Sequence, residues 1–92
     1  MYGSSMNKRR SNIEIIAEML KVGENGAGKT ELMYTVNMSY AQLQKYLKFL
    51  LGNELIHTVE VGNPCVRYYV TKKGADLLKS IETVMDLLDI EG

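Results

Sequence analysis

The chain has 92 residues, of which 46% are apolar and 24% charged, a composition typical of one globular domain. It holds no apolar run of about eighteen residues, and no long apolar segment follows its basic start, so neither a transmembrane helix nor a signal peptide is predicted. A single cysteine, Cys65, excludes an internal disulfide, and one Cys with one His is too few for a zinc tetrahedron. We expect a cytoplasmic protein with no metal and no other cofactor.

The net charge is zero, but the charges are unevenly distributed. Residues 1–75 carry ten Lys and Arg against six Asp and Glu, or +4, and residues 76–92 carry one Lys against five acids, or −4. A basic body with an acidic tail is what a local nucleic-acid-binding face needs. A solvated acidic helix at the end of the chain gives the same count.

The first ten residues hold Gly, two Ser and Asn before the basic run of Lys8, Arg9 and Arg10. This composition predicts a flexible basic arm, and a frayed terminus with incidental charges is the alternative.

A capping box formed by Ser11 and Glu14 predicts the start of the first helix, and Gly23 predicts its end. Helical spacing predicts that its buried positions are Ile13, Ile16, Ala17 and Leu20.

Residues 23–30, Gly-Glu-Asn-Gly-Ala-Gly-Lys-Thr, match the phosphate-binding P-loop pattern letter for letter. A P-loop needs a buried strand before it and a long helix after it. The preceding segment is instead patterned as an amphipathic helix, and the chain is too short for the parallel sheet of P-loop enzymes. We therefore predict a flexible glycine-rich connector, with Lys29 exposed and Thr30 capping the next helix, and expect no enzymatic activity.

A short helix, a turn and a longer capped helix are predicted next, which is the order of a helix-turn-helix. The short helix is predicted from Glu31 to Tyr34 or Thr35, with Leu32, Met33 and Val36 as core candidates. Ser39 and Gln42 form the capping box of the longer helix. Its apolar stripe, spaced for one buried face, is Leu43, Tyr46, Leu47 and Leu50.

The opposite face of the longer helix is small, amide-bearing and cationic. It carries Lys45 and Lys48, flanked by Gln42 and Gln44, and no carboxylate follows before Glu54. Gln can pair bidentately with adenine and Lys can reach guanine or phosphate, so this face suits a major groove. A solvated helix face has the same composition and stays the alternative.

Two runs rich in β-branched and aromatic residues, 56–61 and 65–71, flank Gly62, Asn63 and Pro64. They predict a β-hairpin. In its second strand, Val66, Tyr68 and Val70 are predicted to face the core, and Arg67 and Tyr69 to point outward.

Thr71 is predicted to cap a last helix that runs from about residue 72 to residue 90. Its heptad seam is Leu77, Ile81, Val84 and Leu88, widened by Leu78 and Met85. One small domain cannot bury all six side chains, so the surplus predicts an interface with a second copy. A broad core face within one chain is the alternative.

The predicted order of elements is that of the winged helix-turn-helix. This is an α+β, mostly helical fold in which residues 11–71 form three helices and a β-hairpin wing, followed by the C-terminal helix. Four stretches of the sequence are distinctive: Leu32-Met33-Tyr34, Asn37-Met38-Ser39-Tyr40, Tyr46-Leu47-Lys48 and Tyr68-Tyr69-Val70-Thr71-Lys72-Lys73-Gly74. In these stretches the chain resembles the small Sulfolobus ten-kilodalton DNA-binding proteins and related predicted archaeal regulators. The resemblance extends from residue 8 to about residue 85.

This resemblance implies a homodimer joined by an antiparallel coiled coil of residues 72–90, which binds double-stranded DNA through the third helix and the wing. The last helix is shorter than the family's, so the dimer contact is smaller or differently arranged. The residues expected in the groove are Ser39, Tyr40, Gln42, Gln44, Lys45 and Lys48. Gly62, Asn63 and Arg67 are expected on phosphate or in the minor groove, and Lys8, Arg9 and Arg10 along the backbone.

The leading hypothesis is therefore a nucleoid-associated DNA-binding protein, either a transcriptional regulator or an architectural chromatin protein. The alternative is a winged-helix module that docks onto another protein without binding DNA, which the zero net charge favours.

Overall fold

The computed structural model describes residues 11–62 and 65–89. In chain order the elements are α1 (Asn12–Val22), α2 (Lys29–Val36), α3 (Tyr40–Gly52), β1 (Ile56–Glu60), β2 (Val66–Val70) and α4 (Lys72–Leu87). The strands form a two-stranded antiparallel sheet. The predicted winged helix-turn-helix, α+β and mostly helical, is confirmed. The predicted basic arm lies outside the described residues.

Two reciprocal caps fix the starts of α1 and α3. The Ser11 hydroxyl accepts the N–H of Glu14 at 3.2 Å, and the Glu14 carboxylate accepts the N–H of Ser11 at 2.9 Å. Ser39 and Gln42 make the same pair of bonds at 3.2 and 3.1 Å. Each box satisfies amides that a helix end leaves unpaired. Both predicted helix starts are confirmed.

The core lies between the helices and the inner face of the hairpin. The predicted stripe of α3 is buried along its whole length, and Leu32 and Val36 bring α2 against it, with Met33 only partly buried. Fully burying one such aliphatic side chain contributes about 1.5–3 kcal/mol. This packing leaves the other face of α3 in solvent.

The predicted buried face of α1 is partly wrong. Ile13 is 56% exposed, whereas Ile15 and Met19 are buried beside Leu20. Apolar residues occupy more than one stripe of α1, so spacing alone does not select the buried face. The packing of α4 against α1 decides it, and Ile13 is left at the edge of that contact.

The second helix begins earlier than predicted. Its first residue is Lys29 and its N-cap is Gly28, so Thr30 lies inside the helix and does not cap it. The Glu31 carboxylate accepts the N–H of Gly28 at 3.4 Å. Glu31 at the third helical position is the local signal for this start.

The glycine-rich connector is not the free segment that its composition predicts. Ala27 and Tyr68 exchange two backbone hydrogen bonds of 3.0 and 2.7 Å, so the connector adds a one-residue bridge to β2. Ala27 is fully buried. Gly26 has φ +80, and a Cβ there would collide with the Tyr69 ring. Only glycine adopts this conformation against a ring without strain.

The hairpin pairs Ile56 with Val70 and Glu60 with Val66. Tyr68 is buried and Val66 and Val70 pack against the core, as predicted. Arg67 and Tyr69, predicted to point outward, are half-buried because they lie against the connector.

The last helix starts where predicted and ends earlier. The Thr71 hydroxyl accepts the N–H of Gly74 at 3.0 Å and donates to the Glu54 carbonyl at 2.7 Å. A Cβ on Gly74 would collide with the Leu55 carbonyl, so glycine allows this close approach. The helix ends at Leu87 rather than at residue 90, which lies outside the described residues.

Candidate nucleic-acid interface

The outer face of α3 presents every residue predicted there. The exposed side chains are Ser39, Tyr40, Gln42, Gln44, Lys45 and Lys48. They lie opposite the buried stripe, and the sequence has no carboxylate between Glu31 and Glu54. The local field of this face is therefore positive in a chain of zero net charge.

The two glutamines of this face have different amounts of hydrogen-bonding capacity left. The Gln42 amide oxygen already accepts the N–H of Ser39, which leaves its NH₂ group to donate. The Gln44 amide is exposed and takes no part in the cap. Bidentate pairing with adenine needs both the oxygen and the nitrogen of an amide, so Gln44 fits this role and Gln42 fits a single donor bond.

A further cation stands at the start of α3. The Lys29 Nζ lies 5.8 Å from the centre of the Tyr40 ring. Lys29 is half-buried as the first residue of α2, so the prediction of an exposed connector lysine is wrong. Glu31, which caps the start of α2 from the third helical position, is the sequence signal that places Lys29 on a helix.

The wing is tied to the connector through Arg67. Its Nη2 donates to the Gly26 carbonyl at 2.6 Å and lies 3.5 Å from the Glu31 carboxylate. The side chain is 36% exposed. Its predicted contact with DNA stays a prediction, and its guanidinium already has two protein partners. Gly62 is exposed and Asn63 lies outside the described residues.

The apolar seam predicted on α4 divides into two parts. Leu78 is only 4% exposed because it packs into the core of its own chain, so its assignment to a dimer interface is wrong. Leu77 and Ile81 are half-buried. Val84, Met85 and Leu88 are exposed by 51%, 40% and 70%. Exposed apolar surface thus remains along the outer side of α4.

The described residues hold no group of three or more His, Cys, Asp and Glu side chains that could bind a metal ion. Among them, no helix has both the length and the apolar composition to cross a membrane.

These elements define a winged helix-turn-helix protein, with an exposed third helix and a hairpin wing. The chain belongs to the winged helix-turn-helix family, whose model matches residues 9–89.

Two uncharacterized proteins of Methanocaldococcus jannaschii are related in sequence. One is 36% identical over 81 residues, which are 87% of this chain and 36% of that protein. The other is 27% identical over 82 residues, which are 88% of this chain and 79% of that protein. The chain therefore spans little more than a third of the first relative.

A solved structure gives the same fold. The crystal structure of Sso10a-2, a DNA-binding protein from Sulfolobus solfataricus, matches with a TM-score of 0.77 at 28% identity, over 85% of this chain and 81% of that chain. The resemblance to the Sulfolobus ten-kilodalton proteins is confirmed.

Proposed function

We propose that this protein binds double-stranded DNA as a homodimer, inserting α3 in the major groove, and that it is a nucleoid-associated regulator or chromatin protein. The observation that carries the proposal is the exposed, carboxylate-free face of α3 with Lys45, Lys48 and Gln44. The similarity to Sso10a-2, itself a DNA-binding protein, supports it.

The dimensions and chemistry of α3 suit this role. Its 13 residues span about 20 Å, and a major groove about 12 Å wide admits one helix. Lys45 and Lys48 reach phosphates or guanine, and Gln44 supplies the bidentate amide. We assign Arg67 to holding the wing in place, because its guanidinium is bound to the connector.

The homodimer is supported by the apolar surface of α4 and by its charges. Residues 72–79 hold three Lys and one Asp, and residues 80–89 hold three acids and no Lys or Arg. An antiparallel pair of α4 helices brings the basic half of each copy near the acidic half of the other, whereas a parallel pair aligns like charges. Salt weakens this preference.

Binding of a labelled duplex at increasing salt tests the proposal. Each phosphate neutralised contributes about −0.9 to the slope of log affinity against log salt. Two lysines from each α3 of a dimer therefore predict a slope of about −3.6 or steeper. A protein-docking module, the alternative that zero net charge favours, would leave the duplex unbound at low salt.

Sequencing of the genomic fragments that the protein retains separates the two forms of the proposal. An enriched motif indicates a regulator that reads bases, and uniform coverage indicates a chromatin protein that binds mainly phosphate.

A further inference from the structure

A wholly apolar groove runs along the outer side of the contact between α1 and α4. It has a volume of about 250 Å³ and is lined by Ile13, Leu77, Ser80, Ile81 and Val84, with no polar atom on its accessible wall. Ile13 is 56% exposed and Val84 is 51% exposed. The described part of the chain leaves about half of each side chain uncovered, and both line the same groove.

We propose that the C-terminal end of α4 from a second copy fills this groove, so that the dimer interface combines α4 with the first turn of α1. This inference rests on the proposed homodimer and adds Ile13 to it, a residue outside the heptad seam.

Heptad geometry places the end of the partner's α4 there. In an antiparallel pair that matches the whole seam, the two-fold axis passes midway between residues 82 and 83. Leu77 then lies opposite Leu88 of the partner subunit, and Ile81 lies opposite the partner's Val84. Ile13 shares the groove with Leu77, Ile81 and Val84. The partner residues opposite these positions therefore lie near Ile13. Leu87 and Leu88 are 76% and 70% exposed in one chain and need such cover.

The area that a stable dimer buries is larger than the seam of α4 alone supplies, which supports a contribution from α1. A specific interface buries roughly 800 Å² on each partner. Full burial of an aliphatic side chain removes roughly 100 Å² from water, and Leu77 and Ile81 are already half-buried in their own chain, so the four seam side chains of α4 supply less than half of that area. Leu78 adds nothing because it is buried in its own chain. Ile13 and the exposed Leu87 enlarge the apolar contact on both sides of the two-fold axis.

This composite interface connects the dimer contact to the third helix. Ile13 follows Asn12, whose amide oxygen accepts the Tyr46 hydroxyl of α3 at 2.5 Å. A partner that holds the first turn of α1 therefore also constrains the orientation of α3. The spacing of the two DNA-facing helices then depends on α1 as well as on the coiled coil.

Disulfide trapping tests the contact. In a Cys65→Ser background, which removes the exposed native thiol, chains carrying both Ile13→Cys and Leu88→Cys should form covalent dimers on mild oxidation. Chains with Leu88→Cys alone should not, because antiparallel packing separates the two Leu88 positions by about 16 Å along the axis. The matched control is Glu24→Cys with Leu88→Cys, since Glu24 is exposed on the connector.

Sedimentation of Ile13→Asp gives a second readout. The dissociation constant of the Ile13→Asp dimer should be at least tenfold higher than that of the wild type. At a protein concentration low enough for both proteins to be monomeric, their melting temperatures should be similar, because Ile13 is already largely exposed in one chain. Tyr34→Asp, at another exposed apolar position, on α2, is the control and should leave dimerisation unchanged.

The possible outcomes distinguish failure of the composite interface from failure of the proposed homodimer. The composite interface alone is overturned if the wild type is a dimer but two results are negative. These are no cross-link in the chain carrying Ile13→Cys and Leu88→Cys, and unchanged dimerisation of Ile13→Asp. A wild-type chain that sediments as a monomer at every concentration overturns the homodimer and the inference together.

Discussion

The Arg67 guanidinium donates to the Gly26 carbonyl across 41 residues of sequence, with a donor–acceptor distance of 2.6 Å. This bond joins the second strand of the wing to the connector between α1 and α2. Ala27 of the same connector pairs with Tyr68, and the ring of Tyr69 lies against Gly26. The position of the wing relative to the helix-turn-helix is therefore set by the segment whose composition predicts a flexible loop.

Arg67→Gln should lower the free energy of unfolding by about 1–2 kcal/mol, because it removes a partly buried, charge-assisted hydrogen bond. Urea denaturation measures this. The salt dependence of DNA binding should keep the wild-type slope, since the guanidinium is engaged with Gly26 and Glu31. A slope reduced by about one unit would instead identify Arg67 as a phosphate contact.

Gly26→Ala should destabilise the domain by about 1–3 kcal/mol, because alanine is strained at φ +80 and its methyl group meets the Tyr69 ring. Gly28→Ala is the matched control two residues away. Gly28 has φ −81, and no atom lies within 4 Å of a Cβ built there. Thermal denaturation of both variants checks the account. Equal melting temperatures would mean that the connector is not packed against Tyr69.

Lys29→Ala should reduce stability by at most about 1 kcal/mol, the size of a partly exposed cation–π contact with Tyr40. No binding of ATP is expected of either form, because the connector backbone bridges to Tyr68 rather than forming a phosphate cradle. Isothermal titration with ATP and magnesium measures this. ATP binding by the wild type that is lost in Lys29→Ala would restore the P-loop interpretation.

Val84→Asp should convert the proposed dimer to a monomer, because the seam would then bury an unpaired carboxylate, at a cost of several kcal/mol. The fold should survive, since Val84 is 51% exposed in one chain. DNA affinity should fall as well, because a monomer lacks the second linked binding site. Thr83→Asp, one residue away and exposed, is the control. If Val84→Asp unfolds the chain instead, the seam belongs to an intramolecular core.

The parts of the fold that the sequence predicts correctly depend on local patterns. The capping box of Ser39 and Gln42 and the stripe of α3 are complete within fourteen residues, so spacing alone gives both the start and the buried face. The outer face of α3 follows as its complement. The difference between the two glutamines is also local. The Gln42 amide oxygen accepts the N–H of Ser39 in the cap, whereas the Gln44 amide takes no part in the cap.

The start of α2 is marked locally by Glu31, but most of the other errors concern contacts between distant segments. No local pattern indicates that Ala27 bridges to Tyr68 or that Arg67 donates to Gly26, because these partners are about forty residues apart. The face of α1 that holds Ile13 depends on where α4 crosses it. Leu78 belongs to the same apolar stripe as the seam, and only the packing of α4 on α1 decides that it is buried within its own chain.

Charge reversal on α3 tests the central claim most directly. Lys45→Glu and Lys48→Glu should each weaken binding to a DNA duplex by more than about 1 kcal/mol, measured by fluorescence anisotropy at low salt. Both side chains lie opposite the buried stripe, so neither variant should unfold. Lys21→Glu makes the same change at an exposed position in the last turn of α1 and should have a smaller effect. Wild-type affinity in both α3 variants would contradict the account and remove α3 from the interface.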